Sequence, residues 1–361
     1  MKKRYLIVSE AVTEGHPDKV CDKISDKILD SALEIDPDSR MAVEATIKDD
    51  LILIYGEANT KANLDYEKIA KFVMKDIGYN EEYNVLVKVS EQSLEINEKV
   101  NKERVCAGDQ GIMFGYASNE TEELMPLPIM LANKLAYRLA EVRKSGKIDY
   151  LCPDGKTQVA VEYEDGKVSR VDHVVVATQH LANVDLEVLR KDVLEKVVLS
   201  VIDNKLIDDD TKILINASGS FVVGGSFGDS GTTGRKIVVD TYGGVCPVGG
   251  GCFSSKDPSK VDRSAAYYAR YVCKNIVSRG LCDKCQIQVS YVIGFEKEFS
   301  IYINTFGTEK VSISKIYDYV RDNFDFSVDN IIKELDLKRP IYYNYASYGH
   351  FGREASWEKI K

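Results

Sequence analysis

The 361-residue sequence lacks the features that place a protein in a membrane or on nucleic acid. No apolar run approaches the roughly 18–20 residues that a transmembrane helix needs. The apolar run nearest the amino terminus covers only residues 5–8, whereas a secretory signal needs about 7–15. A net charge of −9 leaves no general excess of bases for nucleic acid or an anionic membrane surface. We therefore expect a cytoplasmic protein that binds neither nucleic acid nor membrane.

Residues typical of structural metal sites are also sparse. Cys282 and Cys285 form a lone CxxC pair without the second pair that a structural zinc site needs. A strand pattern follows this pair, which argues against a thioredoxin-like site. The eight scattered cysteines are expected to be reduced thiols. Of four histidines, only His16 lies in a sequence context that indicates ligand binding.

Hydrophobic periodicity alternates between helix and strand patterns along the chain. Helical spacing covers residues 17–33, 186–202 and 259–277. Alternating, strand-like spacing covers residues 40–47, 51–55, 157–163, 286–293 and 299–304. This mixture predicts an α+β protein in which helices cover sheets. Glycine-rich turns interrupt the pattern, and we expect domain boundaries near residues 100 and 224.

The first candidate site is the EGHPDK segment at residues 14–19. Pro17 fits the first helical position, so His16 is the predicted N-cap and Asp18 lies in the first turn. A helix N-terminus favours phosphate. There His16 can donate a hydrogen bond to an anion, and Asp18 can hold Mg²⁺ against phosphate oxygens. By itself, the segment is better explained as a plain capped helix, in which the helix dipole favours an Asp in the first turn.

A second cluster surrounds another predicted helix start. Asp257 is the expected N-cap and Pro258 the expected first residue of that helix. Lys256 and Lys260 lie beside it, together with Asp262. Lysine near a helix N-terminus is electrostatically unfavourable, so two of them indicate a bound anion. A solvated charged face is the alternative.

A glycine-rich segment at residues 224–236 ends in a pair of bases. Its five glycines would let a ligand approach the backbone. Arg235 and Lys236 then lead into an expected strand at residues 237–240. Turns alone would explain the glycines, but they do not explain the adjacent Arg-Lys pair.

Two further turns carry charged residues. The Gly-Lys-Thr sequence that contains Lys156 resembles the end of a P-loop, but the first glycine of that motif would fall at Tyr150. A strand also follows where a helix is required, so we reject a P-loop. Asp109 lies among glycines, where it could bind a substrate ammonium group or simply form a turn.

Six segments occur in the order found in one enzyme family: GHPDK, AGDQG, MFGYASNET, DSGTTGRK, VDTYGG and KDPSKVDRSAAY. With them the chain resembles the methionine adenosyltransferases, also called S-adenosylmethionine synthetases. The resemblance implies an α+β fold of three similar sheet-and-helix domains around a pseudo-threefold axis. The domains would cover about residues 1–100, 101–223 and 224–361. It also implies a homodimer with active sites between subunits, often paired into a dimer of dimers.

The resemblance further implies roles for individual residues. The catalytic residues would be His16, Lys156, Arg235, Lys236 and Lys256. Mg²⁺ would be bound by Asp18 and Asp262, and K⁺ by Glu44. L-Methionine would be surrounded by Glu57, Gln92, Asp109, Asp229 and Lys260. ATP would contact the five catalytic residues and also Asp154, Phe221, Asp229 and Cys252, with Phe221 on the adenine.

The implied reaction converts ATP and L-methionine into S-adenosylmethionine, with cleavage of the tripolyphosphate intermediate to pyrophosphate and phosphate. Ser220 stands where the family usually has arginine, and Val248 where it usually has histidine. Residues 94–104 depart from the pattern of the family's mobile loop. A nucleotide-binding regulatory paralogue and a methionine-independent polyphosphate hydrolase are the alternatives. We expect the transferase, because every charged catalytic position is retained.

Overall fold

A computed structural model describes residues 3–91 and 105–361. The strands are β1 (Arg4–Val12), β2 (Arg40–Lys48), β3 (Leu51–Asn59), β4 (Asn84–Ser90), β5 (Gly111–Ser118), β6 (Leu151–Glu164), β7 (Lys167–His180), β8 (Lys212–Ile215), β9 (Gly231–Thr232), β10 (Lys284–Tyr291) and β11 (Ser300–Asn304). The longer helices are α1 (Pro17–Leu33), α2 (Tyr66–Ile77), α3 (Leu127–Lys144), α4 (Leu186–Val193), α5 (Val261–Ser278), α6 (Ile313–Asn323) and α7 (Val328–Glu334). After α4 the chain continues as a π-helical turn, Leu194–Val198, and a short helix, Leu199–Val201.

The strands form three open sheets. The first has the strand order β1-β6-β7-β8, the second β4-β3-β2-β9, and the third β11-β10-β5. Helix α3 packs on the first sheet, α1 on the second and α5 on the third. The predicted α+β class with three sheet-and-helix units is confirmed. Each sheet also recruits a strand from a distant part of the sequence, as when β1 pairs with β6.

In the part of the chain that the structure describes, two hydrophobic cores lie beneath these sheets. One joins α1, α2 and α5 to the second and third sheets, and the other joins α3 to the first sheet. Strand β2 shows how the pattern works, because Met41, Val43, Ala45 and Ile47 are buried while the residues between them face outward. Glu44 is one of these outward-facing residues. The buried face of the sheet is therefore separate from the face that carries this candidate ligand.

The strands and helices predicted from periodicity are present, but two local predictions are wrong. Residues Ile237–Asp240 form a helical turn and not a strand. Helix α5 begins at Val261 with Lys260 as its N-cap, and not at Pro258 with Asp257 as its N-cap. Asp257 instead accepts a hydrogen bond from the backbone N–H of Met41, which ties the segment to β2 before the helix begins.

None of the helices that the structure describes combines the length and apolar character required to span a bilayer.

Candidate active site

The start of α1 places His16 and Asp18 side by side. His16 is the N-cap, as predicted, and its Nδ1 accepts a hydrogen bond from the N–H of Asp18 at 3.2 Å. Burial, together with the positive charges of Lys236 and Lys156, lowers the pKa of His16 to about 4. The ring is therefore neutral near pH 7. Because Nδ1 of His16 accepts this hydrogen bond, the single N–H proton of the neutral ring is on Nε2, which can donate to a ligand.

Asp18 is the centre of a cationic cluster at this helix start. Burial alone would raise its pKa, but hydrogen bonds from Lys236 and from the N–H of Thr232 hold the pKa below its usual value. Lys236 Nζ lies 2.5 Å and Arg235 Nε 3.5 Å from the Asp18 carboxylate. The backbone of Gly231 packs closely on Pro17, and a Cβ at position 231 would overlap the carbonyl group of Pro17. The glycine-rich segment is thus held directly over the first turn of α1.

Strand β6 adds Asp154 and Lys156 to the cluster. Lys156 pairs in register with Val12 of β1 and lies close enough to influence the charge of His16. A strand contains this lysine, in agreement with the rejection of a P-loop. Burial raises the pKa of Asp154 to about 6, although its carboxylate accepts a hydrogen bond from the N–H of Gly225. The exposed Asp229 completes this first group of candidate residues.

A second group forms around the start of α5. The ammonium group of Lys256 pairs with the Asp262 carboxylate, and Lys260 lies 3.2 Å from Asp257. Gly108, next to the exposed Asp109, donates from its N–H to the Ser259 carbonyl at 3.4 Å. Lys256, Lys260, Asp262 and the turn that contains Asp109 are therefore brought together from separate segments.

The second group depends on Asp257, which is fully buried. Burial would raise its pKa, but Lys260 and Arg40 lower it below the ordinary value. We expect Asp257→Asn to lower the free energy of unfolding by about 3 kcal/mol, because it leaves the partly buried cations Lys260 and Arg40 poorly paired. Since the folded pKa is depressed, the contribution of Asp257 is present above its unfolded pKa and is lost as pH falls through the folded value.

Urea denaturation at pH 7 and at pH 3 checks this expectation. Asp38→Asn is the matched control, because the Asp38–Lys338 pair is exposed and such pairs contribute roughly 0–1 kcal/mol. A similar small effect of both substitutions at pH 7 would contradict the anchoring role of Asp257.

The two groups meet where Gly234 packs on Cys252. A Cβ at Gly234 would lie 2.5 Å from Cβ of Cys252. Burial raises the pKa of the Cys252 thiol to about 11, so it is an uncharged part of the wall. Glu44 receives a hydrogen bond from Tyr55 at 3.3 Å on the outward face of the second sheet. Glu57 is exposed on the neighbouring strand β3.

The remaining candidate positions are less closely tied to these groups. Phe221 is half-buried and follows β8, beside the end of β7. Gln92 lies outside the described residues.

The donor set suits a cation that keeps most of its own water and phosphate ligands. Among residues 3–91 and 105–361, no three His, Cys, Asp or Glu side chains are arranged to hold a metal ion. Asp18 and Asp262 instead supply one carboxylate in each group. Mg²⁺ commonly binds through one or two carboxylates plus substrate phosphates. The residues therefore fit a magnesium–polyphosphate site better than a closed protein cage.

A buried charge network that hydrophobic periodicity does not predict lies directly behind this site. Lys19 bridges the carboxylates of Asp22 and Asp240. Asp26 forms a two-point pair with Arg263 at 2.8 and 2.6 Å. The available signal was the number of charged residues on α1, but periodicity alone assigns charged residues to solvent.

Comparison with known proteins identifies the family. Models of the N-terminal, central and C-terminal domains of S-adenosylmethionine synthetase match residues 4–103, 104–221 and 223–359. The chain belongs to the S-adenosylmethionine synthetase family. Among its relatives in this family, the S-adenosylmethionine synthase of Finegoldia magna is 49% identical over 380 aligned positions. That of Clostridium acetobutylicum is 51% identical over 380, and each alignment covers 99% of this chain and 97% of the relative.

Proposed function

We propose that the chain is a methionine adenosyltransferase. It joins ATP and L-methionine to form S-adenosylmethionine, then cleaves the tripolyphosphate to pyrophosphate and phosphate. The observation that carries this proposal is the convergence of Lys156, Arg235 and Lys236 on the His16–Asp18 helix start. The chain is a member of this family and has a net charge of −9. In such an acidic protein, a local cluster of bases indicates a binding site for a polyanion.

The chemistry needs charge stabilisation more than proton transfer. The thioether sulfur carries no proton, so its attack on C5′ of ATP requires no general base. Negative charge instead gathers on the departing triphosphate. Each close cation is worth roughly 4 kcal/mol before desolvation, at an effective dielectric constant near 20. Preorganised donors and cations of this kind lower the barrier most where charge develops.

His16 has a defined part in this scheme. Its Nε2–H would donate to the oxygen that bridges the ribose carbon and the α-phosphate. Lys156, Arg235, Lys236 and Lys256 would hold the phosphate oxygens. Holding sulfur and carbon in line supplies a further contribution. Asp154, Phe221, Asp229 and Cys252 would line the rest of the ATP site, with Phe221 against adenine.

Metal ions complete the proposed site. Asp18 and Asp262 would bind Mg²⁺, and Glu44 would serve K⁺. Bound Mg²⁺ would neutralise phosphate charge. In the structure the same carboxylates pair with Lys236 and Lys256. With substrate bound, these lysines would pair with phosphate oxygens in place of the carboxylates, which would then be free to hold the metal.

L-Methionine is assigned to the side of the site that includes the second group. The proposed contacts are Glu57, Gln92, Asp109, Asp229 and Lys260. Asp109 is exposed and lies in a turn whose backbone bonds to Ser259, next to Lys260. A carboxylate and an ammonium group in one region match the two charged ends of an amino acid.

We also propose that the chain works in the cytoplasm as a homodimer or a dimer of dimers. Exposed apolar side chains lie on the edge strands β1 and β4: Leu6, Val8, Leu86 and Val87. Exposed apolar surface of this kind often marks a protein–protein interface, which a second copy of the chain would cover. The domain boundaries near residues 100 and 224 remain predictions.

One assay tests the proposed function. The protein is incubated with ATP, Mg²⁺ and K⁺, with and without L-methionine, and S-adenosylmethionine and phosphate are measured. We expect S-adenosylmethionine to form only with methionine. Phosphate release without methionine would favour a hydrolase, and nucleotide binding without product would favour a regulatory paralogue. Lys236→Met should lower the rate about 10²–10³-fold, whereas Lys338→Met, at an exposed surface pair, serves as the control.

A further inference from the structure

A short apolar segment is fastened to the end of β7 by paired hydrogen bonds. We call residues 221–225 the strap. The N–H of His180 donates to the Phe221 carbonyl at 3.0 Å, and the N–H of Phe221 donates to Nε2 of His180 at 3.0 Å. Nδ1 of His180 lies 2.9 Å from the Leu181 carbonyl, which can only accept. The neutral ring therefore carries its proton on Nδ1 and offers Nε2 to the strap.

Gln179 joins the strap to the strand that carries Lys156. Its Nε2 donates to the Val222 carbonyl at 3.0 Å, and its Oε1 accepts from the N–H of Asp154 at 3.2 Å. A Cβ at Gly224 would lie 2.7 Å from Cδ of Gln179, so the glycine lies flat against the amide. A shift of this amide would therefore move the strap relative to the strand.

The strap presents an apolar surface beside the cationic cluster. Val222 and Val223 are exposed, the latter by 67%, and Phe221 is half-buried. Asp154 receives the N–H of Gly225 at 2.9 Å and lies two residues before Lys156. An apolar wall next to a phosphate-binding cluster has the chemistry that a nucleobase requires.

We propose that Gln179 and His180 are positioning residues that set the strap for the nucleobase of ATP. This inference rests on the proposed function, in which Phe221 contacts adenine. In the contacts described above, neither residue touches Lys156, Arg235 or Lys236, and Gln179 meets β6 only at the backbone N–H of Asp154. Their loss should weaken nucleotide binding and leave the handling of free tripolyphosphate nearly unchanged.

His180→Leu and His180→Gln form a matched pair of variants. Leucine has a similar size but neither donates nor accepts, whereas the glutamine amide can place an oxygen where Nε2 now accepts. Calorimetry measures the binding of a non-hydrolysable ATP analogue with Mg²⁺, and a phosphate assay measures hydrolysis of added tripolyphosphate. We expect His180→Leu to raise the Kd for the analogue about tenfold, equal to 1.4 kcal/mol, with tripolyphosphate hydrolysis within about twofold of wild type.

His180→Gln should restore most of the lost affinity. If His180→Leu does not fold, Gln179→Glu replaces it, because a carboxylate still accepts from Asp154 but cannot donate to Val222. The same selective loss is expected. Equal losses of analogue binding and tripolyphosphate hydrolysis, or unchanged analogue binding, would overturn the proposal. Failure of the wild-type protein to make S-adenosylmethionine would instead refute the proposed function. The two outcomes are distinguishable, because the comparison of analogue binding does not require turnover.

Discussion

Replacing His16 by asparagine is expected to slow S-adenosylmethionine formation by about 10²–10³-fold, the usual cost of removing one donor aimed at developing charge. The expected reason is geometric. His16 is held at the N-cap by the N–H of Asp18, so Nε2–H is the free donor of the ring. Because its pKa is about 4, the donor is the neutral ring, and no loss of activity from His16 is expected between pH 6 and 7. Asparagine is itself a good N-cap, so α1 should still begin at Pro17.

The decisive measurement compares two reactions of the same variant. Formation of S-adenosylmethionine breaks the bond between C5′ and oxygen, whereas hydrolysis of added tripolyphosphate does not. The loss should therefore be far larger in the first reaction. His173→Asn, on the half-buried face of β7, controls for the change of residue type. Equal losses in both reactions would show that His16 supports the site in general and not the C5′–oxygen step.

The parts of this site that could be predicted from sequence are those whose structure is set by residues close to one another in the chain. Pro17 fixes the start of α1 and leaves His16 as the N-cap. Alternation in β2 and β6 follows from one buried face. The family motifs then point to the basic residues, three of which, Lys156, Arg235 and Lys236, lie near the start of α1.

The incorrect predictions occur where tertiary contacts override local preference. Residues 237–240 begin with β-branched side chains and were expected to be a strand. The Asp240 carboxylate is drawn instead to the buried Lys19, and its N–H closes a turn on the Lys236 carbonyl. Similarly, Asp257 has the local features of an N-cap, but its carboxylate accepts a hydrogen bond from the backbone N–H of Met41 in β2. The pairing of β1 with β6 and the joining of Gly234 to Cys252 are long-range contacts that no local pattern specifies.

The buried Lys19 explains how the cationic segment is fixed. Asp22, one turn along α1, accepts a hydrogen bond from the N–H of Gly234 at 2.8 Å. Asp240 lies one helical turn after Lys236. Because Lys19 holds both carboxylates, it fastens the two ends of the segment that carries Arg235 and Lys236 onto α1. The start of the same helix carries His16 and Asp18. The buried ammonium group of Lys19 therefore sets the distance between these two residues and the Arg235–Lys236 pair.

Replacing Lys19 by methionine is expected to cost about 3–5 kcal/mol of unfolding free energy at pH 8, because it leaves two buried carboxylates without their cation. Burial already raises the pKa of Asp22 to about 7, and that of Asp240 is also raised. A carboxyl group with a raised folded pKa contributes stability at low pH, and this contribution is lost as pH rises through the folded value. Without Lys19 both pKa values should rise further, so the deficit should be smaller at pH 5 than at pH 8.

Urea denaturation at these two pH values tests the sign as well as the size of the effect. Lys338→Met, which removes an exposed cation, should change the unfolding free energy by no more than about 0.5 kcal/mol. Lys19→Met/Asp240→Asn should recover part of the loss at pH 8, since one unpaired charge is removed. The single variant Lys19→Met should also bind tripolyphosphate more weakly than wild type, because Arg235 and Lys236 are no longer held against α1. A variant as stable as wild type at pH 8 would mean that the segment is positioned by packing and not by the buried charge.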